Sequence, residues 1–274
     1  GILEAPVKDK KGKKKKPLNG GVGKHREVGA FFFLKKSYER KIMKKAIYQL
    51  FVRLFSEHCK SNVINGSIED NGCGKFNDIN DNVLEEIKRL GITDIWLTGV
   101  IQHATTTTYK EHGIPPTNPL IVKGKAGSPY AITNYFDVDP DLSECADRRF
   151  EEFERLVERI HRHGMNVIID FIPNHVSRQY ISANGNQIGR NERQDYFFER
   201  DNNFYYLQGQ KLELPQEAYN NTTNAEDYYE YPAKVTGDDC MTAKPTCNNW
   251  YETVKLNYGI DISDGSQHFE PIPH

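Results

Sequence analysis

Three polar residues stand close together after an apolar run: Asp170, Asn174 and His175 follow residues 167–169. An acid that ends an apolar strand is costly unless a partner uses its charge. Asn174 offers an amide oxygen, a hard ligand that suits Ca²⁺ or braces the backbone. His175 offers a donor to a hydroxyl or to developing negative charge. A single Asp or His would more often be a salt-bridge or packing residue, but three polar groups within six residues favour a binding or catalytic site.

Three segments predict the strands that would position this site. Residues 47–55 and 93–97 are rich in β-branched and aromatic side chains, a composition typical of strands. Residues 167–171 form a nearly continuous apolar run with Asp170 in it, which is typical of a buried parallel strand. Asp170 is therefore predicted at the carboxyl end of the third strand.

Two amphipathic helices are predicted between these strands. The first has an N-cap at Asp78 or Asn80, an apolar stripe at helical spacing and Gly91 at its end. The second covers residues 150–160 and is closed by Gly164. Strands that alternate with helices imply parallel pairing and right-handed crossovers. This order fits a doubly wound sheet or a (β/α)8 barrel.

The first loop helps to choose between these two architectures. A sheet that binds nucleotides would need a tight glycine-rich turn after its first strand, whereas Gly66, Gly72 and Gly74 lie in a long polar stretch without phosphate-loop spacing. The nucleotide interpretation is therefore weakened. In barrels the site lies at the carboxyl ends of the strands, the position predicted for Asp170.

Composition excludes two classes of function. The chain has 36 Lys and Arg against 38 Asp and Glu, a formal charge of −2, which argues against nucleic-acid binding through bulk basicity. The mean hydropathy is −0.70 and no apolar run approaches membrane-spanning length, which argues against a membrane protein. We therefore expect neither nucleic acid nor membrane as a partner.

The five cysteines do not form a zinc or disulfide framework. Cys59 with Cys73, and Cys240 with Cys247, could each bridge a loop. Free thiols in a reducing compartment are an equal alternative.

The N-terminal residues 1–42 are strongly basic, above all residues 8–16. Such a stretch lacks the apolar area to fold alone and predicts a disordered leader. Met43 precedes the first orderly segment, and we hypothesise that it is the natural start. With no convincing signal peptide, we expect a cytoplasmic location.

Several segments resemble the α-amylase family, glycoside hydrolase family 13. Residues 167–175 resemble its first conserved region, an apolar strand followed by Asp-x-x-x-Asn-His. Residues 47–55 and 91–97 are similar to its first two barrel strands. Residues 127–140 are similar to the segment before the third strand, where Tyr130 matches an aromatic residue that stacks on the sugar.

One position departs from the family pattern. Asn134 stands where many members carry Asp, which puts an ionic role there in doubt but not the stacking by Tyr130.

The resemblance implies an α/β fold, an incomplete (β/α)8 TIM barrel made of the first three βα units, with an inserted irregular domain B. The implied domains are the leader 1–42, the N-terminal part of the barrel 43–175, the domain B-like insertion 176–255 and a return towards the fourth strand at 256–274. An open arc of three strands would expose its edges, so we expect a marginal, aggregation-prone product unless a partner completes it.

The resemblance also implies function: the N-terminal part of a retaining glycosidase that acts on α-linked glucans or oligosaccharides. Tyr130 would stack on the sugar, and Asp170 and His175 would bind its hydroxyls. Asn174 is a candidate Ca²⁺ ligand that would brace domain B, and no other cofactor is expected.

The catalytic carboxylates of the family have no match in this chain. The family carries its nucleophilic Asp in Gly-x-Arg-x-Asp, and it also has a Glu that acts as general acid and a His-Asp pair. This sequence contains no His-Asp, and its one Arg-x-Asp, at Arg193 and Asp195, lies in the polar insertion. We therefore predict that the chain alone is inactive. A non-catalytic carbohydrate-binding product is the alternative, and association with nucleic acid or membrane through the leader is a third hypothesis.

Overall fold

The computed structural model describes residues 44–56, 61–181, 188–189, 191–220, 222, 226–263 and 268–269. The predicted leader, residues 1–42, lies outside these ranges, as does Cys59 of the first candidate cysteine pair.

The described residues form short strands and helices joined by long loops. The strands are β1 Ile47–Phe51, β2 Asp94–Thr98, β3 Ile101–His103, β4 Ile132–Val138, β5 Asn166–Ile169, β6 His175–Ser177, β7 Tyr206–Leu207, β8 Ala233–Lys234, β9 Thr253–Lys255, β10 Ile260–Asp261 and β11 His268–Phe269. The helices are α1 Val52–Phe55, α2 Ile68–Asn71, α3 Asp81–Arg89, α4 Arg149–Arg162 and α5 Gln216–Asn220.

A parallel sheet in the order β1-β2-β5 is the framework of the fold. Gln49 lies opposite Trp96, and Trp96 lies opposite Ile168. Helix α3 connects β1 to β2 and α4 precedes β5, so the predicted α/β class and the parallel pairing are confirmed. Within the described part of the chain these strands do not close a barrel.

The first strand is shorter than predicted. It ends at Phe51, because the β-branched and aromatic residues that follow form the helical turn α1. Arg53 in this turn is buried and its Nη2 lies 2.6 Å from Asp141 Oδ2, and the Arg53 carbonyl accepts a hydrogen bond from Gly74. Burial of an unpaired guanidinium would be costly, so these partners outweigh local β-propensity.

The third predicted strand also needs correction. β5 ends at Ile169, so Asp170 lies beyond the strand. The prediction of a buried strand is wrong within the described residues, since Ile168 is 37% and Ile169 45% exposed. β5 is the edge of the described sheet, so the outer side of its backbone has no hydrogen-bonded strand among the described residues.

The two predicted helices are confirmed. Asn80 caps α3 by accepting a hydrogen bond from the Val83 amide at 3.2 Å, whereas Asp78 instead bonds the Lys75 amide. Gly91 lies just beyond α3 with φ of 81°, a conformation that favours glycine. The longest described helix, α4, has 14 residues, and no helix in the described ranges is long and apolar enough to cross a bilayer.

The main core packs both helices against the parallel sheet. Its fully buried members include Leu50 of β1, Ile95 of β2, Leu84 of α3 and Leu156 of α4. These residues occupy the inner positions of the predicted periodic patterns, so burial of apolar area fixes how the helices lie on the sheet.

The long connection between β2 and α4 contains an antiparallel pair that sequence reasoning missed. β3 pairs with β4, and the register shifts twice along the pair. β3 has only three residues, too few to show an alternating pattern. The pair leads into a buried ionic cluster in which Asp139 lies 3.0 Å from His103 Nδ1.

The segment after β6 contains short antiparallel pairs. β6 pairs with β9 and β7 with β8. Tyr205 and Tyr206 of this segment are buried, whereas Tyr229 and Tyr231 are exposed. A second core includes Tyr205 and Leu207, so only some of the aromatic residues of this segment fill a core.

The cysteines in the described ranges are free thiols, namely Cys73, Cys145, Cys240 and Cys247. The Cys240–Cys247 bridge is therefore not formed, and the free-thiol alternative holds for these two residues.

Candidate functional site

Asp170 lies just beyond the carboxyl end of β5, and a residue of the neighbouring strand β2 holds its side chain in place. Trp96 of β2 donates its indole N–H to Asp170 Oδ1 at 2.6 Å. The other oxygen, Oδ2, is buried and has no hydrogen-bond partner among the described residues. A carboxylate oxygen in this state is available to a hydroxyl donor, because an unpaired buried acceptor is costly.

Tyr130 stands beside this carboxylate, in the turn that precedes β4. Its side chain is 39% exposed. Burial, and next the negative charge of Asp170, raises the pKa of the Tyr130 phenol. The phenol therefore stays protonated at neutral pH and presents a half-exposed ring close to a fixed carboxylate.

Gly127 shapes the turn that carries Tyr130. It has φ of 69°, and a Cβ at this position would lie 1.7 Å from the Ala104 carbonyl oxygen. Further along, the Tyr130 amide donates to Ser128 Oγ at 3.3 Å. Only glycine allows this close backbone approach, so Gly127 sets the path of the loop.

His175 begins β6 and lies behind Tyr130. Its Nδ1 accepts a hydrogen bond from Asn174 Nδ2 at 3.1 Å, and its ring lies near the Tyr130 backbone. The rings of His175 and Trp250 lie 5.1 Å apart. Burial lowers the pKa of His175, and the positive charge of Lys255 lowers it further. The imidazole is therefore neutral at pH 7.

Asn174 faces the loop that joins β8 to β9. Its Nδ2 donates to the Gly237 carbonyl at 2.9 Å, which turns Oδ1 towards Lys255, whose Nζ lies 3.5 Å away. Among the residues of known placement, no group of three or more His, Cys, Asp or Glu could hold a metal ion. Asn174, the candidate Ca²⁺ ligand, has the ammonium group of Lys255 as the neighbour of its side-chain oxygen.

Half-exposed aromatic residues surround the segment from Asp170 to His175. Phe171 packs against Tyr135 with ring centroids 5.5 Å apart, and the Tyr258 hydroxyl donates to the Pro173 carbonyl at 2.5 Å. Trp250 is 44% and Tyr258 51% exposed. Such rings suit the apolar faces of flat ligands.

The sequence singled out Asp170 and His175, and the family resemblance added Tyr130. Neither indicated the roles of Trp96 and Gly237. The indole of Trp96 gave a usable signal, because a partly buried Trp N–H usually finds an acceptor. Gly237 gave no signal in the sequence, because its role depends on a contact between residues far apart in the chain. A Cβ at this position would lie 2.8 Å from His175 Cγ.

The Arg-x-Asp sequence at Arg193 and Asp195 lies on the surface. Their side chains are 57% and 68% exposed and form a loose ion pair at 3.7 Å. Arg193 also stacks on the Tyr196 ring, 4.3 Å from its centroid. An exposed pair of this kind contributes little to stability and does not form the desolvated environment of a nucleophile.

A parallel β-α-β framework with a polar site beyond the carboxyl ends of its strands defines the class of α/β proteins to which TIM-barrel enzymes belong. The particular family follows from comparison with known proteins. The sequence-family model of the alpha-amylase catalytic domain matches residues 49–262, well over half of the chain. The chain belongs to the α-amylase family, and the predicted resemblance is confirmed.

The similar proteins differ in what they do. The cyclomaltodextrin glucanotransferase of Geobacillus stearothermophilus is 28% identical over 143 residues, covering 48% of this chain and 18% of that protein. The human amino acid transporter heavy chain SLC3A1 is 26% identical over 155 residues, covering 57% of this chain and 17% of that protein. A solved alpha-amylase from Lactobacillus plantarum shares 26% identity with a TM-score of 0.35, covering 50% of this chain and 24% of that one. The match thus spans less than a fifth of the length of the two curated relatives.

Proposed function

We propose that this chain is the N-terminal part of a retaining α-amylase-family glycosidase that acts on α-linked glucans or oligosaccharides. The observation that carries the proposal is the pairing of Asp170 with Tyr130: a carboxylate with one oxygen fixed by Trp96 and one unpartnered, beside a half-exposed ring. Sugar recognition needs both a hydrogen-bond acceptor and a flat apolar surface.

Each residue has a distinct role in this proposal. Tyr130 stacks on a pyranose ring, and Asp170 Oδ2 accepts a hydrogen bond from a sugar hydroxyl. His175 accepts a hydrogen bond from Asn174 and its ring lies near the Tyr130 backbone. We therefore assign it the positioning of Tyr130 in addition to the predicted hydroxyl contact.

We further propose that the chain binds sugars without cleaving them. Hydrolysis with retention needs two carboxylates about 5 Å apart across the bond, and our proposal places one carboxylate, that of Asp170, against the sugar. Under this proposal the barrel part is 43–175, the domain B-like part is 176–255, and 256–274 returns to the barrel.

Titration calorimetry of the full chain with maltoheptaose tests the binding proposal. Tyr130→Ala and Asp170→Asn should each weaken binding by about tenfold or more, the loss expected when a stacking ring or a charged hydrogen bond is removed. Tyr196→Ala is the matched control, because Tyr196 is also half-exposed but stacks on Arg193. Equal affinity in all four proteins, or no binding by the parent chain, would contradict the proposal.

A reducing-sugar assay with starch tests the second part. Pure chain should release no more sugar than a mock preparation. Release above the mock level that disappears in Asp170→Asn would show that the chain is a hydrolase by itself.

A further inference from the structure

A partly buried lysine, Lys255, joins the two segments that meet at Asn174. Lys255 of β9 lies directly opposite His175 of β6. Its Nζ lies 2.5 Å from Asp239 Oδ1, and its side chain is only 15% exposed. The same Nζ lies 3.5 Å from Asn174 Oδ1. One ammonium group thus contacts the amide oxygen before β6 and a carboxylate of the loop between β8 and β9.

The orientation of the Asn174 amide agrees with this arrangement. Its nitrogen donates to the Gly237 carbonyl at 2.9 Å, so its oxygen is left to face the cation. The contacts of the amide nitrogen and of the amide oxygen therefore favour the same orientation of the Asn174 side chain.

The carboxylate of Asp238, next to Asp239 in the loop, is not free to bind a metal ion. Asp238 Oδ2 accepts from Asn249 at 3.0 Å, and its Oδ1 accepts from the Thr236 hydroxyl. Burial favours the neutral form of Asp238, but these hydrogen bonds hold its pKa below the usual range. Its oxygens are already satisfied by neutral donors.

These residues do not fit a calcium ion. Ca²⁺ requires six to eight oxygen ligands at about 2.3–2.6 Å. An ion at that distance from Asn174 Oδ1 would lie beside the ammonium group that shares this oxygen, and the two positive charges would repel each other. The carboxylate of Asp239, in the same loop as Asp238, is already paired with this ammonium group.

We infer that the ammonium group of Lys255 takes the place of a calcium ion at this junction, so that Asn174 and the loop containing Asp239 are held together without a divalent cation. A lysine is attached to the chain and does not dissociate. The stability of the junction is then independent of the calcium concentration, whereas a bound ion would stabilise it by mass action.

Thermal unfolding of the full chain in EDTA and in millimolar CaCl₂ tests this inference, with Ca²⁺ itself as the probe. The parent chain should show the same Tm in both buffers. Lys255→Met should lower the Tm in both by at least about 3 °C, the scale of one lost buried interaction in a domain of this size. Lys255→Asp should lower the Tm in EDTA and regain part of the loss in CaCl₂, because it removes the ammonium group and adds a carboxylate.

Lys88→Asp is the control for the charge reversal, since Lys88 is an exposed lysine that bonds the Gly164 carbonyl; its Tm should not respond to CaCl₂. Two results would overturn the inference. One is a parent Tm that rises in CaCl₂ and loses that rise in Asn174→Ala. The other is a Lys255→Met variant as stable as the parent chain. Since the readout is unfolding, failure of the proposed sugar binding would not affect this test.

Discussion

Asp170 shows how a single indole can prepare a carboxylate for binding. The Trp96 N–H bonds Oδ1 and leaves Oδ2 without a partner in the described part of the chain. Because Trp96 lies in a strand of the parallel sheet, the carboxylate is held by a rigid element. A site built on strands keeps its geometry better than one built on loops.

Trp96→Phe should reduce both stability and sugar binding. The substitution keeps an aromatic ring but leaves both Asp170 oxygens unpaired, and the loss of a hydrogen bond to a charged group costs about 1.5–3 kcal/mol. Urea unfolding and calorimetric titration with maltoheptaose measure the two effects. Trp250→Phe is the matched control, because Trp250 contacts His175 but donates no hydrogen bond to Asp170. Equal effects of the two substitutions would show that the indole N–H of Trp96 has no special role.

Glu252 is a buried acid whose ionisation the fold opposes. Burial raises its pKa against the opposing positive charges of Lys123 and Arg178, and its Oε2 has no hydrogen-bond partner among the described residues. Since the folded-state pKa lies above the unfolded value, the ionised carboxylate costs stability as the pH rises above the usual carboxyl range.

Glu252→Gln should therefore raise the Tm at pH 7 to 8, and the gain should vanish below about pH 4, where the acid is protonated in both states. Thermal unfolding across this pH range checks the prediction. Glu85→Gln, on the exposed face of α3, is the control and should show no comparable gain. A Glu252→Gln variant less stable than the parent at pH 8 would contradict the argument.

At the scale of elements, the turn before β4 is controlled by one glycine. Gly127 combines a positive φ with a contact that leaves no space for a Cβ. The two constraints are different: the first is local backbone strain, and the second is a clash with the Ala104 carbonyl in the loop that follows β3. Tyr130 is three residues away, so its position depends on both.

Gly127→Ala should destabilise the chain by about 1–3 kcal/mol more than Gly113→Ala, because a backbone clash adds to the strain. Gly113 is a matched control: its φ is 72° and a Cβ there would meet nothing within 4 Å. Urea unfolding gives the difference, and titration with maltoheptaose should show weaker binding only for Gly127→Ala. Equal losses in the two variants would mean that the contact with Ala104 relaxes freely.

At the scale of the whole molecule, the sheet of β1, β2 and β5 is open among the described strands. β5 pairs only with β2 among the described strands, and Ile169 and the following Phe171 are 45% and 69% exposed. An exposed apolar edge strand is a template for pairing with another chain. We therefore expect the isolated chain to self-associate.

Ile169→Lys should weaken this association, because a charged side chain on an edge strand disfavours its pairing with a strand of another chain. Sedimentation velocity at several concentrations should show a weight-average coefficient that rises with concentration for the parent and less for the variant. Ile64→Lys is the control, since Ile64 is 96% exposed in a loop. A parent chain that stays monomeric at all concentrations would refute the prediction.

Tyr130 was added by the resemblance to the α-amylase family. The residues by themselves were enough to predict the α/β class, the two helices and the grouping of Asp170 with His175. These features depend on local patterns: the apolar stripe of α3, its cap at Asn80 and the acid after an apolar run. Burial periodicity and capping act over a few residues, so they can be seen without the fold.

Only the tertiary structure decided the ends of the strands and the partners of the polar groups. β1 ends early because Arg53 pairs with Asp141, 88 residues away. Asn174 faces Lys255 rather than a metal ion because β6 and β9 pair in that register. Contacts between distant residues are set by how elements pack, and no pattern within a few residues encodes them.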